Sequence, residues 1–221
     1  MAPYDVKREL KPFYAPKNRE WALVDMPAQQ FIAVDGAGDP NTSPDYPNAV
    51  EALYSVAYTV KFASKRAGQD FVVGPLEGLW WSPNPEVFTT RAKESWHWRM
   101  LISQPDWITP DQIKECVDAA LAKKNLPAIA HVRHDTLHEG MSAQALHVGS
   151  YDDETPLLAR LHDEYLPANN LTPTGHHHEI YLSDPRKTAA EKLKTIPDGR
   201  LSWDSCALVP SCAPFRSRPP R

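Results

Sequence analysis

The stretch TGHHHEIYLSDP, residues 174–185, places three adjacent histidines directly before a glutamate, Glu179. Imidazole and carboxylate groups are common metal ligands and common general acids and bases. Neighbouring side chains on a strand point to opposite faces, so His176 and His178 share one face while His177 and Glu179 share the other. Adjacent histidines therefore cannot all reach one ion, and no HExxH spacing accompanies them. We expect no metal site here, and we expect His176 and His178 to be solvated.

Glu179 is the charge in this stretch that most needs an explanation, because apolar residues follow it in a predicted strand. A carboxylate there is costly to bury unless it is paired or faces a solvated cleft. Glu77, in the stretch GPLEGLWW, has similar surroundings in an earlier predicted strand. If the two carboxylates face each other across a groove, their pKa values will shift and split, as acid–base catalysis requires. The alternative is that both acids face solvent on open strands.

Further candidates are aromatic residues in the predicted strands and acidic or aromatic residues at a strand–helix junction. Clustered tryptophans make flat walls for planar ligands, although each can equally be a core residue. Alternation places Trp81 rather than Trp80 on the face of Glu77. Tyr151 and Glu154 precede a predicted helix, where acids also fit first-turn electrostatics. The candidate catalytic residues are Glu179, Glu77, Glu154 and Tyr151, and the candidate substrate-binding residues are Trp81, Trp98, Trp80, Trp96 and Tyr181.

Composition narrows the class of protein. The chain has 221 residues, 42% of them hydrophobic, with a net charge of -4 and no block of basic residues. We therefore expect one domain that contacts neither nucleic acid nor a membrane directly. Cys116, Cys206 and Cys212 form no CxxC pair, and the N-terminus has no apolar signal segment, which favours a reduced, cytoplasmic protein. No phosphate loop, dinucleotide fingerprint or Ser-His-Asp order is present.

Hydrophobic periodicity and turn residues predict the elements that must position these side chains. The clearest is a helix at 110–124, with Thr109 as its N-cap, Gln112 completing a capping box and Cys116 in its buried stripe. Residues 1–28 show no comparable pattern and are predicted to be an irregular lead-in. The other predicted helices are 48–67 and 156–165, and the predicted strands are 29–38, 70–81, 94–104, 129–138, 142–151 and 176–185, with one more after residue 195.

The predicted elements repeat once along the chain. Two β-α-β-β units, at about 29–104 and 141–199, flank the helix at 110–124, which is inserted between them. Such units would form an antiparallel sheet with helices on one side, an α+β fold with a central ligand groove at the pseudo-twofold axis. The unit boundaries give a single domain at 29–199, followed by an atypical, proline-rich tail at 200–221.

The repeat and several long motifs resemble the GyrI-like small-molecule-binding domains, which are related to SOUL proteins. The motifs are KPFYAPK, VEALYSVAYTVKF, GPLEGLWW, QPDWIT, LHVGSYDDE and HHEIYLSDPRKTAAEKLKTI, and the resemblance runs from about residue 10 to 196. More specifically, they look like a stand-alone branch whose members are similar to cyclopropanoid cyclopropyl hydrolases, which disarm DNA-alkylating compounds. Glu179 matches the position of the family's ligand-binding glutamate.

This resemblance implies a cofactor-free hydrolase that opens the cyclopropane of planar aromatic compounds, a detoxifying activity that confers drug resistance. The alternative is a non-catalytic protein that binds and sequesters amphipathic or cationic aromatic molecules. The chain departs from the family after Ile196, where PDGRLSWDSCALV replaces the expected short closing strand. The segment RLSWDSCALV is a candidate substitute for that strand.

Overall fold

The computed structural model describes residues 2–16, 19–84 and 92–203 of the chain. Its helices and strands alternate as the repeat predicts. The helices are α1 (Val6–Glu9), α2 (Lys11–Tyr14), α3 (Asp45–Arg66), α4 (Pro110–Leu121), α5 (Thr155–Arg160) and α6 (Leu166–Ala168). The strands are β1 (Ala22–Met26), β2 (Gln29–Ala37), β3 (Leu76–Trp81), β4 (His97–Gln104), β5 (Arg133–Leu137), β6 (Gly140–Gln144), β7 (His147–Val148), β8 (Leu171–Tyr181) and β9 (Lys194–Trp203).

The strand order confirms the duplicated α+β architecture. All strands belong to one sheet in the order β1-β6-β9-β8-β3-β4-β2-β5, with β7 beside β9, and the pairs are antiparallel. The first unit contributes β3-β4-β2 and the second contributes β8-β9-β6. The strands of the two units therefore follow the same order outward from the central β3–β8 pair. The strand predicted after residue 195 is present as β9.

Two short connections force this sheet to curl. β1 and β2 are six strand spacings apart in the sheet, about 29 Å if it were flat. Only two residues, 27 and 28, join them, and such a connection spans at most about 11 Å. The same limit applies to β5 and β6, which only residues 138 and 139 join. The open sheet therefore has an inner, concave face and an outer face.

The long helices cover the outer face and the short N-terminal helices fill the inner one. On the outer face, the apolar sides of α3 and α4 pack against Ile32, Trp98 and Met100 of the sheet. The helical segment 151–168 covers Ala143 and Leu201 on the same face. On the inner face, α1 and α2 pack through Val6 and Tyr14 against Ile180 and Ile196 of the sheet. The prediction of helices on one side is thus correct for the larger helices only.

Local sequence signals explain where the principal helices begin and end. The Thr109 hydroxyl accepts a hydrogen bond from the Gln112 backbone, and the Gln112 side chain accepts one from the Thr109 backbone, as the capping box predicts. Cys116 lies in the buried stripe of this helix, which confirms that it is a core residue. α3 ends just before Gly68, whose φ of 94° is a conformation that favours glycine.

Several sequence predictions need correction. Residues 1–28 are not irregular, because they contain α1, α2 and the edge strand β1. The predicted strand at 70–81 begins only at Leu76, since Gly74 and Pro75 interrupt the ladder. Residues 127–131 form a 3-10 turn rather than the start of a strand. The predicted helix at 156–165 is part of a longer segment at 151–168 that combines 3-10, α and π turns.

Part of the predicted tail lies outside the described residues. β9 extends to Trp203, so the first residues of RLSWDSCALV are indeed in the closing strand and pair with β8. The rest of the tail, including Cys206 and Cys212, is beyond the described part of the chain. Across 2–16, 19–84 and 92–203, no helix combines the length and apolar character needed to cross a membrane.

Two strand glycines differ sharply in the space around them, which generates a test of the packing. A methyl group at Gly36 would collide with the Trp98 ring, whereas one at Gly199 would meet nothing within 4 Å. We expect Gly36→Ala to lower the free energy of unfolding by about 3 kcal/mol, because overpacking displaces a fully buried indole. Gly199→Ala should change it by less than about 0.5 kcal/mol. Urea denaturation of both variants checks this, and equal effects would contradict the packing described.

Candidate functional site

A groove of about 1850 Å³ lies on the outer face of the sheet over the β3–β8 pair. α3 forms one wall and the helical segment beginning at Tyr151 forms the other. Its floor is made by Trp80 of β3 and by Glu179 and Tyr181 of β8. These are the central strands of the two repeated units, so the groove lies where the duplication predicted the ligand groove.

Aromatic side chains dominate the lining. The Trp80 ring lies 6.1 Å from Tyr46 and 5.7 Å from Trp96, measured between ring centroids. Tyr151 meets Tyr181 edge-on at 5.7 Å. Walls of this kind suit a flat, largely apolar molecule. The aromatic lining residues are Tyr46, Tyr54, Tyr58, Trp80, Trp96, Tyr151 and Tyr181.

Glu179 is held as a carboxylate by hydrogen-bond donors. His177 Nε2 lies 3.0 Å from Glu179 Oε1, and the Tyr181 hydroxyl hydrogen-bonds with Glu179 while accepting from Trp80 Nε1 at 3.0 Å. Burial acts to raise the pKa of Glu179, but the hydrogen bonds from His177, Tyr181 and Glu154 outweigh it and lower the pKa. The Glu179 side chain is 16% exposed, so it can still meet a molecule in the groove.

Glu154 has the opposite protonation behaviour. Burial first, then the charge of Glu179 and a hydrogen bond with it, raise the pKa of Glu154 to about 9. At neutral pH the pair therefore holds one proton, on Glu154, and one negative charge, on Glu179. Glu154 Oε1 is buried without a hydrogen-bond partner. Burial, followed by the charges of Glu179 and Glu154, likewise raises the pKa of Tyr151, to about 12.

Glu77 does not join this pair. In the β3–β8 ladder Glu77 is opposite Ile180, while Gly78 is opposite Glu179. Directly paired residues share a face, so Glu77 and Glu179 point to opposite faces of the sheet. The prediction that these two carboxylates face one another is therefore wrong. The duplicated strands are offset by one residue in the ladder, which inverts one side-chain pattern relative to the other.

The predicted tryptophans divide in the same way. Trp80 and Trp96 line the groove. Trp81 is on the inner face, where its ring stacks between His97 and His176, with ring centroids 5.8 Å and 4.5 Å away. Trp98 is 1% exposed and packs in the core beneath the groove. Side-chain alternation favoured Trp81 over Trp80 because Trp81 shares the face of Glu77. That face is the inner one, so Trp80 and not Trp81 lines the groove.

The three adjacent histidines have three different environments. His177 contacts Glu179 in the groove. His178, predicted to be solvated, is fully buried on the inner face between Glu139 and Glu77. Burial alone would lower the pKa of His178, but the two carboxylates outweigh it and raise the pKa well above its usual value. Only His176 is exposed, as predicted.

Tyr46, Tyr54 and His177 line the groove without having been predicted from the sequence. Tyr46 and Tyr54 are eight residues apart on α3, a spacing that places them on one side of a helix. A tyrosine hydroxyl favours the boundary between apolar core and solvent, which is where a groove wall lies. His177 shares its face with Glu179 by alternation, and this signal was present in the sequence.

His177, Glu179 and Glu154 bring three ligand-type atoms within 4.8 Å of one another. Glu179 hydrogen-bonds with both of the others, so the three groups form a connected route for a proton.

Comparison with known families and structures identifies the family and the fold. Residues 20–196 match the family defined as the GyrI-like small molecule binding domain. The chain belongs to that family. A small molecule is accordingly the expected ligand of the groove. A search of curated proteins finds no match to the chain.

Solved structures include close relatives from Listeria innocua. An uncharacterized conserved protein is 37% identical with a TM-score of 0.83, and the alignment covers 90% of this chain and 100% of that one. A protein described as a hydrolase is 36% identical with a TM-score of 0.78, over 90% of this chain and 100% of that one. The C-terminal domain of EcmrR shares the fold at 11% identity and a TM-score of 0.54, over 84% of this chain and 98% of that domain.

The proton held by Glu154 should be visible as a pH dependence of stability. The folded state keeps this proton up to about pH 9, whereas a glutamate in the unfolded chain releases it near its ordinary pKa of 4.5. Stability from this group is therefore lost as the pH rises through that window, at up to about 1.4 kcal/mol per pH unit. Glu154→Gln removes the titration, so its stability relative to the natural protein should rise between pH 5 and pH 9.

Denaturant unfolding at pH 5, 7 and 9 measures this difference. Glu164→Gln is the matched control, because Glu164 is an exposed carboxylate in the same helical segment. That control should follow the natural protein at every pH. A constant offset between Glu154→Gln and the natural protein would show that Glu154 does not hold a proton in the fold.

Proposed function

We propose that the protein is a cofactor-free hydrolase whose groove takes planar aromatic electrophiles and opens a strained cyclopropane fused to a dienone. The observation that carries the proposal is the pairing of an ionised Glu179 with a protonated Glu154 in an aromatic groove. The hydrolase description of a 36% identical L. innocua protein supports the reaction class. Hydrolysis of such an electrophile would protect a cell from DNA alkylation.

The groove would hold the flat substrate against Trp80 and Trp96, with Tyr46 opposite on α3. Stacking on these rings fixes the plane of the molecule but leaves it free to slide. A hydrogen bond from Tyr151 to the substrate would fix its position, because Tyr151 is 41% exposed beside Tyr181 and its hydroxyl keeps its proton at neutral pH. Fixing the substrate beside the catalytic groups lowers the entropic part of the activation barrier and so raises the rate of hydrolysis.

The chemistry needs one base and one acid. Glu179 removes a proton from water as the water oxygen bonds to the cyclopropane carbon. The ring C–C bond breaks, and its electron pair moves into the dienone and creates a phenolate. Glu154 delivers its proton to that oxygen, which gives a phenol. The proton gained by Glu179 returns to Glu154 through their hydrogen bond, so water is the only reagent consumed.

Sequestration without turnover is the second candidate function. It is favoured by one specific observation, the negative charge of Glu179 among aromatic rings, which would attract a cationic aromatic molecule. Such a binder would also protect a cell, but only in proportion to its own concentration. Turnover number is therefore the measurement that separates the two functions.

Incubation with a cyclopropapyrroloindole-type compound tests the enzyme proposal. We expect many equivalents of ring-opened, hydrated product per protein, quantified by liquid chromatography and mass spectrometry after subtraction of spontaneous hydrolysis. Glu179→Gln should lower the rate at least about 100-fold, because it replaces the ionised carboxylate that acts as the base with a neutral amide. Glu164→Gln, outside the groove lining, serves as the control. Product at or below one equivalent would leave sequestration as the function.

The pH profile of turnover provides an independent test of the acid. The rate should fall above about pH 9, where Glu154 loses its proton. Glu154→Gln should lower kcat by about 10²- to 10⁴-fold, the range for loss of a general acid, and abolish this alkaline decline. A decline that persists unchanged in Glu154→Gln would assign it to a different group.

A further inference from the structure

The inner face of the curled sheet holds a polar cluster that the proposed hydrolysis does not use. His178 is 0% exposed, and its two ring nitrogens contact two different carboxylates. Nδ1 lies 2.9 Å from Glu139 Oε2, and Nε2 lies 3.1 Å from Glu77 Oε2. Asp198 of β9 is the cross-strand neighbour of His178 and therefore points to the same inner face. The sheet separates this cluster from Glu179 in the groove.

Asp198 is the member of the cluster that lacks a partner. It is 1% exposed, and neither of its carboxylate oxygens makes a hydrogen bond of ordinary geometry. The Gly199 amide and the Ser142 hydroxyl make weaker contacts with it, and the charges of His178 and Glu139 act on it in opposite directions. A buried carboxylate without a full set of partners is costly, so a further positive charge beside it would be stabilising.

The geometry around Asp198 suits a metal ion. One ligand-type atom each from Glu139, His178 and Asp198 lie within 4.8 Å of one another. Atoms that bind a single zinc ion at about 2.0–2.2 Å lie about 3–3.5 Å apart, so only small side-chain movements are needed. The ion would displace the proton between His178 Nδ1 and Glu139 Oε2 and release it to solvent. One imidazole with two carboxylates is a ligand set for Zn²⁺, Mn²⁺ or Fe²⁺.

The second nitrogen of His178 is already arranged as a metal-bound histidine requires. A histidine that binds a metal through one ring nitrogen usually donates its other N–H to a carboxylate, which fixes the ring. Glu77 accepts that hydrogen bond through Oε2. The Tyr14 hydroxyl in turn hydrogen-bonds with Glu77 Oε1 and with Gln29 Oε1, each at 2.9 Å. Glu77 and Tyr14 are thus positioning residues for His178.

We propose that Glu139, His178 and Asp198 bind one divalent transition-metal ion inside the curled sheet. The ion would cross-link three separate parts of the chain: the β5–β6 connection, β8 and β9. We assign it a structural role, because helices α1 and α2 pack on the inner face. The ion would enter at Glu139, which lies in the short connection between β5 and β6 and is 6% exposed.

Metal binding by the full chain tests the proposal. The protein is treated with a chelator, dialysed, and titrated with Zn²⁺ and separately with Mn²⁺, with bound metal measured by equilibrium dialysis and elemental analysis. We expect one ion per chain and a rise in Tm when it binds. Asp198→Asn should fold, since it neutralises a buried unpaired charge, and should weaken binding at least about 100-fold. Glu77→Gln, which affects only the support of His178, should weaken binding about 10- to 100-fold.

Glu154→Gln is the matched control, because Glu154 is also buried with an unpartnered oxygen but lies in the groove. It should retain full metal binding. Binding that survives Asp198→Asn, or that disappears in Glu154→Gln, would overturn the proposal in favour of surface histidines or the groove. Absence of stoichiometric binding for both metals in the natural protein would also overturn it, whatever the outcome of the hydrolysis assay.

Discussion

The pairing of β3 with β8 is the constraint on which the rest of this structure depends. It joins the two repeated units, and its register decides which residues face the groove and which face the inside of the curled sheet. Gly78 lies opposite Glu179, so no side chain of β3 competes with that carboxylate. A methyl group at Gly78 would also press against the Trp80 indole at 2.9 Å, so glycine lets this ring lie across the floor. A shift of one residue would place Glu77 and Glu179 on the same face of the sheet.

This register creates two buried charge clusters on opposite faces of one sheet, and each is stabilised in a different way. On the outer face, Glu154 and Glu179 share one proton, which avoids two adjacent negative charges. On the inner face, His178 is held between Glu77 and Glu139. The shared proton is available to a bound molecule because Glu179 is partly exposed, whereas the inner cluster is enclosed by α1 and α2.

The fold was largely predictable from the sequence because its signals are local. Hydrophobic periodicity indicated α3, and the Thr109–Gln112 capping box indicated the start of α4. The duplicated order of elements then indicated an antiparallel sheet with a groove between the units. The edge strand β1 was missed because its pairing partner, β6, is more than a hundred residues away and contributes no local pattern.

The site was predictable only in part, since its composition depends on register. Alternation correctly separated His177 and Glu179 from His176 and His178, but a sequence repeat aligns similar segments without fixing their offset in the ladder. Glu77 was therefore predicted to face Glu179, whereas the carboxyl group beside Glu179 is that of Glu154.

The protonation of Glu154 bears on the choice between turnover and sequestration. A protein that only captured cationic aromatic molecules would gain from two ionised carboxylates in the groove, since each adds attraction for the cation. Here burial keeps Glu154 neutral to about pH 9, which halves that attraction. A neutral acid beside an ionised one is of use when a proton must be given to one atom while another is taken from water. Capture of a cation does not require one protonated and one ionised carboxyl group, whereas hydrolysis does, so this difference favours hydrolysis.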